Sequence, residues 1–368
     1  MSTKYKICAR CIMDTTDPDI KFDANGVCNH CREYDKLVRR YVFTGKEGER
    51  RLNKIVDKIK QRGKGQEYDC IMGLSGGVDS TYAVYIAKKL GLRPLAIHLD
   101  NGWDTEISIR NIENVVKKLG LDLYTYVVDW GEFRDLQLAY LKSSVVDTEA
   151  ATDHAITAIL YKTANERGIK YILPGFNIVT ESIMPRKWLH YQNDLTNLRD
   201  IHNQFGTVEL KTFPTLGIRK LLYYQSIKNI KSVGILNYVP YVKRDAKKLI
   251  AQELGWEDYG GKHYESIFTR FYQAYILPRK YNIDKRKAHL SSLIYSGQIT
   301  REDALEEMQE DPYTEEDLKK DKEYVLKKLE LTDEEFERIM SLPVKSHFDY
   351  KSEIKCYGLL RFVYRIFN

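Results

Sequence analysis

The sequence predicts an α/β protein, a parallel sheet with helices on both faces. Two observations carry this expectation. Short apolar runs alternate with helix-period segments through the middle of the chain. The first run ends in a glycine-rich loop that opens directly into a helical pattern. Composition agrees: 368 residues with 43% hydrophobic and 30% charged content suit a globular chain with one main domain and appendages.

The loop covers residues 73–81, GLSGGVDST. Cys70, Ile71, Met72 and Leu74 form the apolar run before it. Behind it Ala83, Ile86, Ala87 and Leu90 fall at i, i+3, i+4, i+7, and Gly91 closes the helix. Gly76 and Gly77 let the backbone approach a ligand, and the free N–H groups with the helix dipole favour an anion. Ser75, Ser80 and Thr81 add hydroxyls, and Asp79 would hold magnesium beside phosphates. The bland alternative is an ordinary strand-to-helix turn. The loop lacks the Gly-Lys-Ser/Thr ending of a Walker A loop.

Further strands are expected at 94–99, 123–128, 171–173 and, shorter, 235–239. Helices are expected at 49–62, around Ile112 to Leu119, and over roughly 131–144 and 149–167. Ligands of such a sheet bind outside the carboxyl ends of its strands. There lie His98, Asp100, Asn101 and Gly102 after the second strand, and Gly175, Asn177 and Glu181 after the fourth. Asp100 and Asn101 read as polar groups for a ligand or as a strand-ending turn. Glu181 would assist Asp79 with magnesium. Residues 184–215 are irregular and suit a substrate loop.

Residues 1–48 form a first unit. Cys8-x2-Cys11 and Cys28-x2-Cys31 have the spacing of a four-cysteine zinc ribbon, a closed structural site. Metal binding would supply folding free energy on the order of 10 kcal/mol to so short a segment. Redox cysteines or a disulfide pair are the alternatives, and His30 is a possible substitute ligand. Cys70 reads as a buried inert thiol, and Cys356 stands in an aromatic tail.

Residues 49–255 make the nucleotide domain and 256–368 a mainly helical region. In the latter, a helix opening at Gly260-Gly261-Lys262 would carry Tyr264, Phe268, Phe271, Tyr272 and Tyr275 as a core stripe. Five cations follow within 279–287, namely Arg279, Lys280, Lys285, Arg286 and Lys287. They read as a solvated face or as phosphate ligands. Acidic amphipathic helices run to about 340, and the apolar tail 357–367 asks for a cover or partner. No run is long enough to span a bilayer, the start MSTKYKICAR is no signal peptide, and a net charge of +6 is mild. A cytoplasmic protein with no membrane and no nucleic-acid partner is expected.

SGGVDS resembles the pyrophosphate loop (PP-loop) of the ATP pyrophosphatases, which include GMP, NAD and asparagine synthetases and tRNA-thiolating enzymes. That resemblance implies an adenine nucleotide alpha hydrolase-like fold, with ATP split between its α- and β-phosphates. Nearly the whole chain resembles the N-acetyl sugar amidotransferases of the WbpG and PseA type. The likeness rests on CxRCIMDTTDPDIxFDxxGVCNHC, GLSGGVDSTY, AIHLDNGW, PGFN and GGKHYESIFTRFYQAYILPRKYNIDKRKAHLSSLI. It implies an AMP-forming carbon–nitrogen ligase that turns the acetamido group of a nucleotide sugar into an acetamidino group, for surface polysaccharide or flagellin glycan. ATP, magnesium and structural zinc are the implied cofactors.

Implied ATP-site residues are Gly73, Ser75, Gly76, Gly77, Asp79, Ser80, Thr81, His98, Asp100, Gly175 and Asn177. Ser75, Asp79 and Ser80 are the implied catalytic residues, and Lys262, Arg279, Lys285 and Arg286 the substrate candidates. Neither Cys70 nor Cys356 has the surroundings of a glutaminase nucleophile, and position 2 is Ser2. Ammonia, if used, would come from another chain or from solution, and the resemblance implies a separate glutaminase with a synthase-like channelling subunit, similar to the imidazole glycerol phosphate synthase pair. A tRNA-thiolating PP-loop enzyme is the rival reading. Its cysteine-dependent versions need thiols beyond the loop, where this chain has only Cys356.

Overall fold

The computed structural model describes residues 5–261 and 264–354. Five strands form one parallel sheet: β1 (Cys70–Gly73), β2 (Pro94–Asp100), β3 (Asp122–Val127), β4 (Tyr171–Ile172) and β5 (Lys231–Ser232). Their order is β3-β2-β1-β4-β5. The chain travels outward from β1 to β3, then returns to β4 on the other side of β1. The crevice at this reversal opens between the carboxyl ends of β1 and β4, where such sheets bind ligands.

Two helices precede the sheet, α1 (Asn29–Tyr41) and α2 (Gly45–Arg62). The connections carry α3 (Val78–Lys89), α4 (Glu106–Leu119), α5 (Trp130–Ser143), α6 (Ala150–Glu166), α7 (Ile178–Glu181), α8 (Leu195–Phe205) and α9 (Ile218–Ser226). After the sheet come α10 (Lys243–Leu254), α11 (Ile267–Phe271), a π-helical segment Tyr272–Tyr281, α12 (Arg286–Tyr295), α13 (Arg301–Glu307), α14 (Glu315–Leu329) and α15 (Asp333–Ser341).

Strand side chains alternate between two apolar layers, as a period of two requires. Cys70, Met72 and Ala96 pack with α2, α3, α4 and α10 through residues such as Val56, Ala83, Val115 and Ile250. Ile71, Leu95, Ile97 and Ile172 face the other way, onto Ala158 and Ile159 of α6 and Leu221 of α9. Helices thus cover both faces.

The N-terminal unit shares its core with the last third. The four cysteines belong to one buried cluster with Phe133, Leu198, Phe271 and Val325. Ile12 packs on Leu290 and Ala304, and its N–H donates to the Ser291 hydroxyl at 3.3 Å. Arg301 donates to the carbonyls of Cys8 and Cys11, both at 3.2 Å. Asp14, fully buried, pairs with Lys287 at 2.6 Å.

Three expectations on secondary structure need correction. Residues 184–215, expected to be irregular, contain α8, whose Leu198 and Ile201 are core. The fifth strand is the polar pair Lys231–Ser232, while Ile235–Tyr238 makes a 3-10 turn. Ile235 and Leu236 satisfy their apolarity in the layer with α2 and α10, without joining the sheet. The aromatic helix begins at Ile267, capped by Ser266, so Tyr264 lies before it. Phe268, Phe271, Tyr272 and Tyr275 are core, as their spacing predicts. Cys70 is buried in β1. No helix among the described residues is long and apolar enough to cross a membrane.

Candidate active site

The loop after β1 folds around its own hydroxyls. Ser75 Oγ and Ser80 Oγ lie 3.2 Å apart, and the Gly77 N–H donates to Ser75 Oγ at 3.3 Å. Gly77 is the N-cap of α3 and supplies no side-chain cap, and the Val78 N–H in the first turn is taken by Tyr259. Gly76 has φ +76, and a Cβ there would stand 2.6 Å from the Ser108 carbonyl oxygen. Its carbonyl accepts the Trp256 indole N–H at 2.8 Å. Gly76 is therefore required by backbone hand and packing against α4, while Gly77 lines the cavity beside the loop. Thr81 is fully buried and lines neither cavity beside the loop.

Beside the loop, a Cβ at Gly175 would fall 2.7 Å from the Cα and N of Ser80. Only a glycine lets the segment after β4 lie against the start of α3. Asn177 is buried and caps α7, its Oδ1 accepting the Thr180 N–H at 2.9 Å. Its Nδ2 reaches toward Asp79 Oδ1 at 3.5 Å, while its N–H donates to Glu181 Oε2 at 3.2 Å. Asn177 thus stands between the two carboxylates and lines neither cavity beside the loop. The Tyr241 hydroxyl also donates to Asp79 Oδ1. Asp79, Glu181, Glu265, Lys243, Lys247 and Tyr259 line a cavity of about 310 Å³ with the loop. Paired carboxylates next to loop hydroxyls and a helix N-terminus fit a magnesium-bound polyphosphate.

A larger cleft of about 550 Å³ begins at Gly73, Ser75 and Ser80 and continues past the end of β2. His98 lines it. The imidazole Nδ1 lies 3.1 Å from the Leu74 carbonyl and Nε2 lies 3.1 Å from Asp104 Oδ2. Both partners are acceptors, so a doubly protonated ring satisfies both contacts. Burial works against that charge, but the Asp104 carboxylate outweighs it and His98 titrates above its usual value. Asp100 does not line the cleft. Its carboxylate accepts the Gly102 N–H at 2.8 Å, and Asn101 faces the cleft in its place. Gly102 packs near Trp130 and Lys328.

The remaining walls come from the turn before α6 (Asp147, Glu149) and from the last third of the chain (Glu265, Thr269, Gln273, Lys285). Gln273, Lys285 and His289 also line a second cavity of about 680 Å³, with Lys243, Arg244, Lys247 and Arg286. The basic run is therefore divided by its contacts, not laid out as a solvated face. Lys285 is 6% exposed and sits over the Tyr272 ring. Arg286 lines the second cavity but is held by Asp284 at 2.8 Å and by the Glu310 carbonyl at 2.7 Å. Arg279 lies over the Tyr275 ring at 4.2 Å and lines none of these cavities. Lys262 falls outside the described residues.

Lys243, Lys247, Tyr241, Asp147 and Glu149 were missed as site residues. One signal was available: Lys243 and Arg244 begin α10, an end where the helix dipole disfavours cations. Nothing local marks the others.

Away from this cleft, the cysteine sulfurs lie within 4.8 Å of one another, with contacts such as Cys28–Cys31 at 3.1 Å and Cys11–Cys28 at 3.8 Å. Four thiolates around one zinc at about 2.3 Å would stand about 3.8 Å apart, so the cluster is compatible with a structural zinc. Backbone N–H groups of Arg10, Met13 and Cys28 already donate to the sulfurs of Cys8 and Cys11, at 3.2–3.4 Å. His30 instead pairs with buried Asp17 at 2.6 Å.

Residues 49–168 match the family model described as NAD synthase. Residues 265–363 match the one described as LPS biosynthesis protein WbpG-like, C-terminal domain. The sheet and loop are those of the PP-loop superfamily, whose members use ATP and magnesium. Together the two matches support a PP-loop chain of the WbpG type. An uncharacterized protein of Methanocaldococcus jannaschii is 25% identical over 176 residues, 46% of this chain and 59% of that protein. A glutamine-hydrolyzing GMP synthase of Pyrobaculum aerophilum is 38% identical over 76 residues, 20% of this chain and 15% of that one. The chain thus spans less than two thirds of the curated relatives it matches.

Among solved structures, the NH3-dependent NAD synthetase of Campylobacter jejuni is similar, with TM-score 0.31 and 15% identity over 56% of this chain and 84% of that one. A predicted subunit of tRNA methyltransferase from M. jannaschii gives TM-score 0.29 and 18% identity over 50% and 74%.

Proposed function

We propose that the chain is an ATP-dependent amidotransferase acting on a nucleotide-activated N-acetyl sugar. It adenylates the acetamido oxygen and replaces that oxygen with ammonia, giving an acetamidino sugar, AMP and pyrophosphate for a surface polysaccharide or flagellin glycan. One observation carries the reading. Glu265, Thr269, Gln273 and Lys285, all within the WbpG-like segment, line the same cleft as Ser75 and Ser80 of the loop. The part of the chain that sets the family therefore meets the part that would split ATP.

The chemistry suits this arrangement. An acetamido carbon resists ammonia because its oxygen leaves poorly. Attack by that oxygen on the α-phosphorus expels pyrophosphate and makes AMP the leaving group. The Gly77 amide with the Ser75 and Ser80 hydroxyls would receive the charge that develops on pyrophosphate. Asp79 and Glu181 would hold magnesium, which supplies charge neutralisation at the same phosphates. The second cavity, with Lys243, Arg244, Lys247 and Arg286, has the charge to take the nucleotide diphosphate of the sugar.

Cys70 is buried in β1 and lines none of these cavities, which supports amide chemistry over cysteine-dependent thiolation. A separate glutaminase and channelling subunit would deliver ammonia. The test is to incubate the protein with ATP, magnesium, ammonium chloride and a panel of nucleotide N-acetyl sugars. Mass spectrometry should find a product one mass unit lighter, with AMP in equal amount. ADP, or AMP without a lighter sugar, would overturn the proposal. Glutamine should replace ammonium only when the two partner subunits are added.

A further inference from the structure

Asp147 and Glu149 stand in the turn before α6 and face the cleft shared by the loop serines. Asp147 is only 2% exposed. Its Oδ2 accepts the His190 backbone N–H at 2.8 Å and the Glu149 backbone N–H also acts on the carboxylate, while Oδ1 is buried with no hydrogen bond of normal geometry. Glu149 is half-buried, and its Oε1 accepts the Thr269 hydroxyl at 3.0 Å. Asp153, in the first turn of α6, lines the cleft as well. Lys285 is the cation that acts on both Asp147 and Glu149, with the imidazole of His289 on the same cleft. Acidic groups therefore gather in this corner around a carboxylate oxygen without a hydrogen bond of normal geometry. Such an oxygen is costly when buried, and when it lines a ligand cleft a ligand is the natural source of the missing bond.

We propose that Asp147 and Glu149 bind ammonium and take its proton, forming the nucleophile site of the amidotransferase reaction proposed above, on which this assignment rests. Ammonium is small, cationic and offers four N–H donors, so it can satisfy Asp147 Oδ1 and the Glu149 carboxylate together. Burial, partly offset by Lys285 and reinforced by Asp153 and Asp147, pushes the Glu149 carboxyl up to about 8. Burial likewise raises Asp147 against the pull of Lys285. A carboxylate so placed is a better proton acceptor than an exposed one.

The balance is simple. Ammonium gives one proton to the Glu149 carboxylate, and the freed lone pair forms the C–N bond at the adenylated acetamido carbon. The C–O bond then breaks with its electron pair leaving on AMP. The amidine keeps the remaining nitrogen protons, and Glu149 returns its proton to solvent through the open cleft.

The test has two arms. Crystals of the full chain are soaked in thallium(I) acetate, thallium being a monovalent ammonium surrogate with an anomalous signal. A peak beside Asp147 Oδ1 and the Glu149 carboxylate is expected, and it should vanish in Asp147→Asn and in Glu149→Gln. In solution, Glu149→Gln, which keeps the side chain's shape, should raise the ammonium KM about tenfold or more with the ATP KM unchanged. It should also remove the steepening of ammonium use as pH rises through about 8. Thermal unfolding checks each variant, and if Asp147→Asn does not fold the Glu149→Gln arms decide. No thallium at the pair, a peak that survives both substitutions, or an unchanged ammonium KM would overturn the assignment. A thallium peak in a protein that forms no AMP with any N-acetyl sugar would keep the cation site and remove the sugar reading instead.

Discussion

The Tyr241 hydroxyl donates to the Asp79 carboxylate, joining the segment before α10 to the first turn of α3. Burial, and then the Asp79 charge, push the phenol well above its usual pKa, so it remains a donor throughout the working range. A tyrosine held there fixes the carboxylate that would hold magnesium. Tyr241→Phe removes a hydrogen bond to a charged group, a loss of about 1.5–3 kcal/mol. AMP formation should fall about tenfold to a hundredfold, with a higher magnesium requirement. Titrating activity against magnesium checks this, and a variant with wild-type requirement would make the contact merely structural.

Gly175→Ala is expected to damage the loop from its neighbour. The new methyl would meet the Ser80 backbone at 2.7 Å, and backbone cannot swing aside as a side chain does. Overpacking of this kind costs about 1–3 kcal/mol. A lower unfolding temperature together with a raised ATP KM should result. An unchanged ATP KM would show that the segment after β4 does not set the loop's position.

Zinc removal should reach the cleft. The cysteine unit holds α12 and α13 through Ile12, through Asp14–Lys287 and through Arg301 on the carbonyls of Cys8 and Cys11. Lys285 and His289, which line the cleft, sit at the start of α12. Cys28→Ser with Cys31→Ser should abolish bound zinc by elemental analysis. It should also raise amide hydrogen exchange across residues 286–307. Native protein without zinc would refute the metal assignment, and unchanged exchange would refute the coupling.

Local pattern made the loop, the first four strands and the cysteine cluster legible, because each is written within a few consecutive residues. Helix periodicity in α3 and α4 and the apolar run before the loop needed no distant partner to be read. What escaped was set across the sequence. Ile235 and Leu236 looked like strand because apolar runs do, yet a turn buried them against α2 and α10. Asp100 turns its Oδ1 to the Gly102 N–H in a tight turn, and its buried neighbour Asn101 lines the cleft. The run 279–287 shows the same limit: charge was visible, but its partners Tyr275, Tyr272, Asp284 and Asp14 were not. Tyr241 and the Asp147–Glu149 pair meet the loop only through folding, so no spacing could reveal them.

The last prediction concerns His98. Its two nitrogens face only acceptors, the Leu74 carbonyl and the Asp104 carboxylate, and its folded pKa lies above the model-peptide value of about 6.5. A group raised on folding stabilises the native state by holding a proton that the unfolded chain releases. Its contribution is therefore complete below about pH 6.5 and disappears as pH rises through the folded value. His98→Gln cannot carry that proton. The stability gap between wild type and His98→Gln should be widest in mild acid and narrow steadily above neutrality. Denaturant unfolding of both proteins across that range measures it. A gap independent of pH would mean that the imidazole is neutral, with one nitrogen facing an acceptor it cannot serve.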